Sequence, residues 1–199
     1  MTADSAEEDG MEGMVLVVIV VVAVLLLPLV WLIATYNRFV ALKQHLRESA
    51  AGIDVELKRR YDLIPNLVTT VKAYAAHEKE VLERVVAARA RAMQAGSDPE
   101  SASREEPALR SAVGGLLAVA EGYPALKADT GFRQLQSELS NTEDRIAAAR
   151  RFYNGNVRDL NNLAGMFPSS LVAGMAGVRP QAFYEVDLPA ERQPPGVHL

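Results

Sequence analysis

The feature that most constrains the fold is an uncharged apolar stretch that runs from Val15 to Thr35. As a helix, this stretch measures about 31 Å, which matches the hydrocarbon core of a bilayer. A buried core helix rarely stays this apolar for so long, and a cleaved signal peptide has a basic start and a shorter apolar run. We therefore predict a transmembrane helix over residues 15–35, in which Pro28 is tolerated.

The charges on either side of this stretch predict its orientation. Residues 1–14 carry five acidic side chains and no Lys or Arg, whereas Arg38, Lys43 and Arg47 follow the stretch closely. Lys and Arg near a membrane helix stay on the cytoplasmic side. We therefore predict a single-pass protein of the bacterial inner (cell) membrane, with residues 1–14 as an acidic extracytoplasmic N-terminus and a cytoplasmic C-terminal domain.

The rest of the chain is nearly neutral and has no cysteine. All 21 Lys and Arg lie after residue 35, together with 20 of the 25 acidic residues. This balance gives no electrostatic footprint for nucleic acid. The lack of cysteine excludes disulfides, thiolate metal sites and thiol nucleophiles. With 49% hydrophobic residues, the chain has enough apolar material to build a core.

Apolar side chains recur every three or four residues from Phe39 to Ile64, which predicts that the membrane helix continues to Ile64. Pro65 disfavours helical geometry at the preceding residue and suits the first position of a helix. The charged residues between Ile53 and Leu67 lie mostly outside the apolar stripe. We therefore interpret this segment as a turn between two packed helices, rather than a catalytic cluster or a nucleic-acid patch.

The same periodicity and the turn residues divide the remaining chain. We predict a second helix over 65–95, a loop over 96–107, a third helix from Leu109 to near Pro124, and a fourth helix that Asp129 or Thr130 caps and Pro168 ends. Gly155 interrupts the apolar stripe of the fourth helix. Strand signals are almost absent, although Phe183–Val186 could form a short extended piece.

These segments predict an all-α fold, in which the N-terminal transmembrane helix continues into a long antiparallel four-helix bundle. The predicted divisions are the acidic N-terminus (1–14), the transmembrane helix (15–35), the helical bundle (36–185) and a flexible Pro-rich tail (186–199). The lipid bilayer is the predicted partner of residues 15–35.

Motifs that carry known chemistry do not occur in the sequence. "HEKEV" at His77 begins like a zinc-protease motif, but Val81 stands where a second His is required. Neither His45 nor His77 has a Glu three residues before it, as a di-iron bundle requires. Phosphate-binding glycine loops and the nucleophile elbow are also missing. We therefore predict no catalytic residue, cofactor or metal, and we expect Glu105 and Glu106 to be solvated in their loop.

The fourth helix holds the best polar candidates. Glu143 and Arg150 are two turns apart on one face, and Glu138 and Asn154 lie nearby. One interpretation is a polar groove for a ligand or partner peptide, which would also involve Arg60. The other, which we favour, is a set of interhelical salt bridges that fix the helix register.

Several motifs in this sequence are familiar from a known family. "RYDLIPN" at Arg60–Asn66, the Tyr123–Pro124 pair and the Tyr153–Asn154 pair resemble motifs of LemA family proteins. The resemblance runs from about Tyr36 to Glu185. It implies a membrane-anchored protein with one N-terminal span and a long helical bundle, and it supplies no catalytic residues.

Residues of these motifs and of the polar faces are candidates for structural or partner-binding roles. They are Tyr36, Asn37, Asp54, Leu57, Arg60, Tyr61, Asp62, Pro65, Asn66, Tyr74, Glu78, Arg89, Glu121, Tyr123, Pro124, Glu138, Glu143, Arg150, Tyr153, Asn154 and Pro168. We expect a membrane-anchored scaffold or adaptor for protein partners, without catalysis. The alternatives are a ligand sensor or enzyme with a polar pocket between helices, and a structural protein that self-assembles at the membrane as a homo-oligomer.

Overall fold

A computed structural model describes residues 3–184 of the chain, with the side chains of residues 14 and 16–184. The described residues form six helices and contain no strand. The helices are α1 (Ala3–Tyr74), α2 (Lys79–Ala95), α3 (Pro99–Glu121), α4 (Pro124–Ala128), α5 (Thr130–Gly165) and α6 (Ser169–Met175). The predicted all-α fold is therefore confirmed. The predicted Pro-rich tail at 186–199 and residues 185 and 186 of the predicted extended piece lie outside the described residues.

The long helix α1 carries the apolar stretch near its beginning. By length and composition, α1 is the helix among the described residues that could cross a membrane; its most apolar window has a mean hydropathy of 3.4 and is not buried inside the chain. The helix continues into the amphipathic part of the chain without a break, as the sequence predicts up to Ile64.

The predicted turn at Pro65 is wrong, because α1 runs through this residue and ends at Tyr74. Pro65 has no N–H, so the carbonyl of Tyr61, four residues earlier, loses its helical donor. Arg89 from α2 supplies the replacement, since its Nε donates to the Tyr61 carbonyl at 2.7 Å. The ring of Pro65 itself lies on the exposed face of α1.

The predicted loop over 96–107 is also wrong beyond its first residues. Gly96 follows α2 with a φ of 65°, in the left-handed region that favours glycine. Helix α3 begins at Pro99, and the carboxylate of Asp98 accepts a hydrogen bond from the Ser101 amide at 3.0 Å. An Asp at the N-cap followed by Pro at the first helical position is a strong helix start. Pro107 then lies inside α3.

The second half of the chain follows the prediction more closely. Helix α3 ends at Glu121, just before Pro124. Asp129 caps α5, since its Oδ1 accepts from the Phe132 amide at 2.8 Å. Helix α5 runs through Gly155, within the predicted fourth helix, and ends at Gly165 shortly before Pro168.

The described residues divide into two compact units. The first contains residues 3–43 and 160–180, and the second contains residues 44–159 and 181–184. In the second unit, α1 and α5 are antiparallel, because His45 bonds to Asn156 while Arg59 bonds to Glu138 and Tyr74 to Asp129. The prediction of four helices in a single bundle is not confirmed.

The core of the second unit is built from the predicted apolar stripes. Helix α1 contributes the buried side chains of Ile53, Leu57, Ile64 and Leu67. The other helices contribute the buried side chains of Val85, Leu109, Leu116, Leu126, Ile146 and Val157. Burial of such side chains contributes about 1.5–3 kcal/mol each to folding, so the stripes provide the main driving force.

Candidate functional site

A cluster of buried charged side chains lies inside the second unit. We call Arg60, Glu106, Glu143 and Arg150 the ion cluster. Arg60 pairs with Glu106 through Nη2 and with Glu143 through Nη1, the latter at 2.7 Å. The Nη2 of Arg150 lies 3.5 Å from the same oxygen of Glu106 that pairs with Arg60. Helices α1, α3 and α5 are therefore joined by two arginines and two glutamates of balanced charge.

The cluster is shielded from solvent at its centre. The side chains of Arg60 and Glu106 are both 2% exposed, whereas that of Glu143 is 36% exposed. An ion that is buried this deeply costs several kcal/mol to desolvate, and only close pairing offsets that cost. The prediction that Glu106 is solvated is therefore wrong. Its neighbour Glu105 faces Arg91 nearer the surface, at 3.4 Å.

Tyr61 also holds Glu106, through a hydrogen bond. Its hydroxyl donates to Oε1 of Glu106 at 2.9 Å and lies 3.2 Å from the Ala92 carbonyl. Burial raises the pKa of the Tyr61 hydroxyl, although the positive charge of Arg60 opposes the rise. The tyrosine therefore stays a neutral hydrogen-bond donor, which suits an ionised carboxylate.

Arg150 is the least satisfied member of the cluster. Burial lowers the pKa of its guanidinium, and repulsion from Arg60 lowers that pKa further. Its Nε and Nη2 have no hydrogen-bond partner, so the 3.5 Å approach to Glu106 is an ion pair and not a hydrogen bond. The guanidinium instead lies over the ring of Tyr184, 5.4 Å from the ring centroid. Such a cation–π contact favours the charged form.

The segment at residues 181–184 is bound to α5 through Tyr184. Asn154 bonds to the Tyr184 backbone twice, donating from Nδ2 to the carbonyl and accepting at Oδ1 from the amide, both at 2.9 Å. The rings of Tyr153 and Tyr184 meet edge to face at 5.1 Å. The Tyr184 hydroxyl donates to the Ser97 carbonyl, and burial raises the pKa of that hydroxyl. The Tyr153–Asn154 motif therefore anchors this segment.

Several other predicted residues make single contacts between helices. Tyr74 donates to Asp129 at 3.1 Å, and Tyr123 donates to Glu78 at 3.3 Å. Arg59 pairs with Glu138 at 2.7 Å. Leu57 is a buried core residue, and Glu121 pairs with Lys127 at the surface.

The remaining predicted residues are exposed and do not join the cluster. They are Tyr36, Asn37, Asp54, Asp62, Pro65, Asn66, Pro124 and Pro168. The motif at Arg60–Asn66 is thus divided between two faces of α1: Arg60 and Tyr61 point inward, whereas Asp62, Pro65 and Asn66 point outward. Residues three and four apart share one helix face, so these three outward residues form one exposed surface.

The four side chains of the ion cluster pair with one another between helices. Among the described residues, no group of His, Asp and Glu side chains is arranged to hold a metal. Two surface grooves, of about 360 and 300 Å³, are lined by residues outside the cluster. The larger groove is lined by the first turns of α3 together with Ala182 and Phe183.

Two residues of this site were missed by the sequence interpretation. The Gly, Pro and Ser residues of its segment predict a loop around Glu106, although the sequence also contains the helix start at Asp98–Pro99. Tyr184 was considered only as part of an extended piece. No sequence signal connects it to Arg150 or Asn154.

Comparison with known proteins identifies relatives for most of the chain. The sequence model of the LemA family matches residues 49–199, and so includes the Pro-rich tail. Magnetosome protein MamQ 2 of Paramagnetospirillum magneticum is 24% identical over 179 residues, covering 77% of this chain and 66% of the relative. Magnetosome protein MamQ of Magnetospirillum gryphiswaldense is 23% identical with the same coverage.

Protein LemA of Metamycoplasma hominis is 26% identical over 137 residues, covering 69% of this chain and 63% of the relative. This chain therefore spans slightly less than two thirds of the length of the relatives it matches. The family match covers well over half of this chain, and the apolar beginning of α1 agrees with association with a membrane. This membrane-associated helical protein belongs to the LemA family.

Proposed function

We propose that this chain is a single-pass membrane anchor and scaffold that presents a helical surface to protein partners and performs no catalysis itself. The observation that supports this proposal is the division of the Arg60–Asn66 motif. Arg60 and Tyr61 are fixed by the ion cluster, while Asp62, Pro65 and Asn66 are exposed on the same two turns of α1.

A rigid support makes this exposed surface suitable for binding. The inward side chains of the motif cannot rotate without breaking buried ion pairs, and so the outward side chains have a fixed spacing. A surface that is ordered before binding loses less conformational entropy when a partner docks. We call Asp62, Pro65 and Asn66 the α1 surface.

Proximity labelling in native membranes tests the scaffold proposal. The full chain, with a labelling enzyme after Leu199, is compared with the variant Asp62→Ala/Asn66→Ala. A matched control is Asn141→Ala/Asp144→Ala, which removes the same two residue types from exposed positions on α5.

We expect a reproducible set of labelled proteins that the α1 variant loses and the α5 control keeps. The proposal is wrong if no set is reproducible between preparations, or if both variants label the same proteins as the unmodified chain.

The location that we propose is the bacterial inner membrane, with the helical domain in the cytoplasm. The basic residues Arg38, Lys43 and Arg47 directly after the apolar stretch support this orientation. A tag placed after Leu199 should resist protease added to intact cells. Digestion of that tag without lysis would reverse the orientation.

A second candidate function is a sensor for a small anion, and the unsatisfied nitrogens of Arg150 favour it. A buried guanidinium without full hydrogen bonding gains from an anionic ligand. Thermal unfolding with added inorganic phosphate tests this candidate: phosphate should stabilise the unmodified chain and not Arg150→Gln. Equal effects on both proteins, or no effect on either, would eliminate the sensor.

A further inference from the structure

An exposed apolar surface lies in the first unit, in residues 166–175. Met166, Phe167, Leu171 and Met175 all have more than half of their surface exposed, and Phe167 is 82% exposed. Leu171 and Met175 are four residues apart on α6, so they share one outward face. We call these four residues the apolar ridge.

The inward face of α6 is made of small side chains. Ser169, Val172 and Ala173 are buried, and the Ser169 hydroxyl lies 2.6 Å from the Leu163 carbonyl, to which it donates. Helix α6 therefore places small residues inside and large apolar residues outside. Large apolar side chains that are grouped in this way at the surface mark a binding site or a membrane contact.

The position of α6 along α1 places the ridge near the end of the apolar stretch. The Nζ of Lys43 donates to the Ala176 carbonyl at 3.0 Å. Thr35 and Phe39 are also buried, and residues 160–180 are the part of this unit that packs beside α1. Lys43 is eight residues beyond Thr35, which is about 12 Å along a helix.

This distance can be compared with the thickness of a bilayer surface. The headgroup layer on each side of the hydrocarbon core is about 5–8 Å thick. Helix α6 is about 10 Å long. Because α6 ends beside Lys43, a helix of this length that lies along α1 on the side of Thr35 reaches the headgroup layer of the membrane that α1 would cross.

The charges of these segments favour a lipid surface over a protein partner. No Asp or Glu occurs between residues 13 and 47 or between residues 160 and 184, although the chain has 25 acidic residues. Arg38 and Lys43 are the basic residues between 13 and 43. Two acid-free segments that meet in one unit avoid repulsion from anionic headgroups, and nearby basic residues are attracted to them.

We propose that the apolar ridge docks on the bilayer that α1 crosses, with Phe167 and Leu171 inserted at the boundary between headgroups and acyl chains. Apolar side chains on a short surface helix gain free energy when they enter this boundary. The proposal rests on the membrane-spanning role proposed for residues 15–35, and it does not depend on the scaffold role of the α1 surface.

Site-specific labelling tests this proposal directly, because the chain has no cysteine of its own. Single-cysteine variants of the full chain carry an NBD fluorophore and are reconstituted in vesicles of phosphatidylcholine and phosphatidylglycerol. Quenching is then measured with lipids that carry a nitroxide near the headgroup and, separately, with lipids that carry it on the acyl chain. The ridge variants are Phe167→Cys and Leu171→Cys, at positions where the native side chains are exposed.

Two control variants show the quenching expected inside the membrane and the quenching expected far from it. Val24→Cys lies near the middle of the apolar stretch and reports, through quenching by the acyl-chain nitroxide, whether α1 is inserted. Val55→Cys replaces an equally exposed apolar residue on α1, 20 residues beyond Thr35, which is about 30 Å along the helix. We expect the lipid to quench both ridge positions several-fold more strongly than Val55→Cys. Adding Leu171→Glu should reduce quenching at Phe167→Cys.

Three outcomes would overturn the proposal. If Val24→Cys is quenched while both ridge positions behave like Val55→Cys, the anchor stands and the docking surface is wrong. If the ridge is shielded from water without lipid quenching, and unlabelled protein relieves fluorophore self-quenching, a second copy covers it instead. If Val24→Cys itself is not quenched, the membrane-spanning role and the docking proposal both fail.

Discussion

Replacing Glu106 with Gln isolates the electrostatic role of the ion cluster. Glutamine has nearly the same shape and can still accept a hydrogen bond from Tyr61, which lies 2.9 Å from Glu106 in the folded protein. It cannot neutralise Arg60 and Arg150, which both contact Glu106. The variant therefore leaves two buried guanidinium groups with Glu143 as their remaining acidic partner in the cluster.

The expected loss follows from the burial of these groups. Breaking a buried ion pair by removing one partner costs about 3–5 kcal/mol, because an uncompensated charge remains. For a protein of this size, each kcal/mol lowers the melting temperature by about 2–4 °C. Glu106→Gln should therefore melt about 6–20 °C below the unmodified protein.

The neighbouring glutamate provides a matched control. Glu105 pairs with Arg91 at 3.4 Å, and the two side chains are 29% and 54% exposed. Exposed pairs contribute up to about 1 kcal/mol, so Glu105→Gln should lower the melting temperature by at most about 4 °C. Circular dichroism of both variants in lipid nanodiscs measures the difference. Equal, small losses in the two variants would refute the buried cluster.

Three further predictions concern the backbone contacts and the tyrosines. Arg89→Met removes the donor to the Tyr61 carbonyl and should cost about 1–3 kcal/mol in denaturant unfolding. Combining it with Pro65→Ala restores a helical N–H to that carbonyl, so the loss should fall below about 1 kcal/mol. Asn154→Ala removes the acceptor of the Tyr184 amide, which should then exchange hydrogen about tenfold faster, the equivalent of about 1.4 kcal/mol. Burial raises the pKa of the Tyr61 and Tyr184 hydroxyls above the ordinary value of 10.0, so their contribution to stability is full below pH 10 and is lost as the pH rises through the raised values. Melting temperatures measured across this alkaline range should fall, and Tyr61→Phe should make the fall shallower.

Each of these predictions has a result that contradicts it. If Pro65→Ala fails to rescue Arg89→Met, the two residues do not share the Tyr61 carbonyl. Exchange at the Tyr184 amide should not change in Asn162→Ala, an exposed Asn on the same helix α5; an equal change there would mean that the effect is not specific. An alkaline melting curve that Tyr61→Phe leaves unchanged would show that ionisation of this hydroxyl does not limit stability.

The apolar periodicity predicted the core of the second unit because side chains on one face of a helix are buried together. Leu46, Ile53, Leu57 and Ile64 are all buried, as their spacing indicates. The same reasoning could not locate the end of α1. The residues that directly follow Tyr74 contain neither Gly nor Pro, so no local sequence signal marks the end of the helix.

The predictions at Pro65 and Glu106 are wrong for the same reason. The local sequence does not show the distant residues that stabilise the helix at these two positions. Pro65 usually marks a helix boundary, but Arg89 from α2 supplies the hydrogen bond that the proline leaves unmade. Glu106 lies in a segment with loop-like composition, but Arg60 and Tyr61 stabilise it within a helix. Contacts between residues that are 28–46 positions apart cannot be derived from periodicity alone.

The sequence identified the polar residues of the cluster better than their pairing. The sequence places Glu143 and Arg150 two turns apart on one face of a helix, and it links Arg60 to them only as part of a possible polar groove. In the structure, Glu106 is the residue that connects Arg60 with Arg150. The ridge on α6 was not anticipated, because a helix of seven residues is too short to give a periodic signal.

The continuity of α1 through Pro65 is the central claim, since both the ion cluster and the α1 surface depend on it. Electron–electron distance measurement between spin labels at Gln44→Cys and Lys72→Cys tests it, because both positions are exposed on α1 in the second unit. An unbroken helix places these positions about 42 Å apart. A turn at Pro65 would bring residue 72 back beside residue 58, at about 23 Å from residue 44, and that shorter distance would contradict the account.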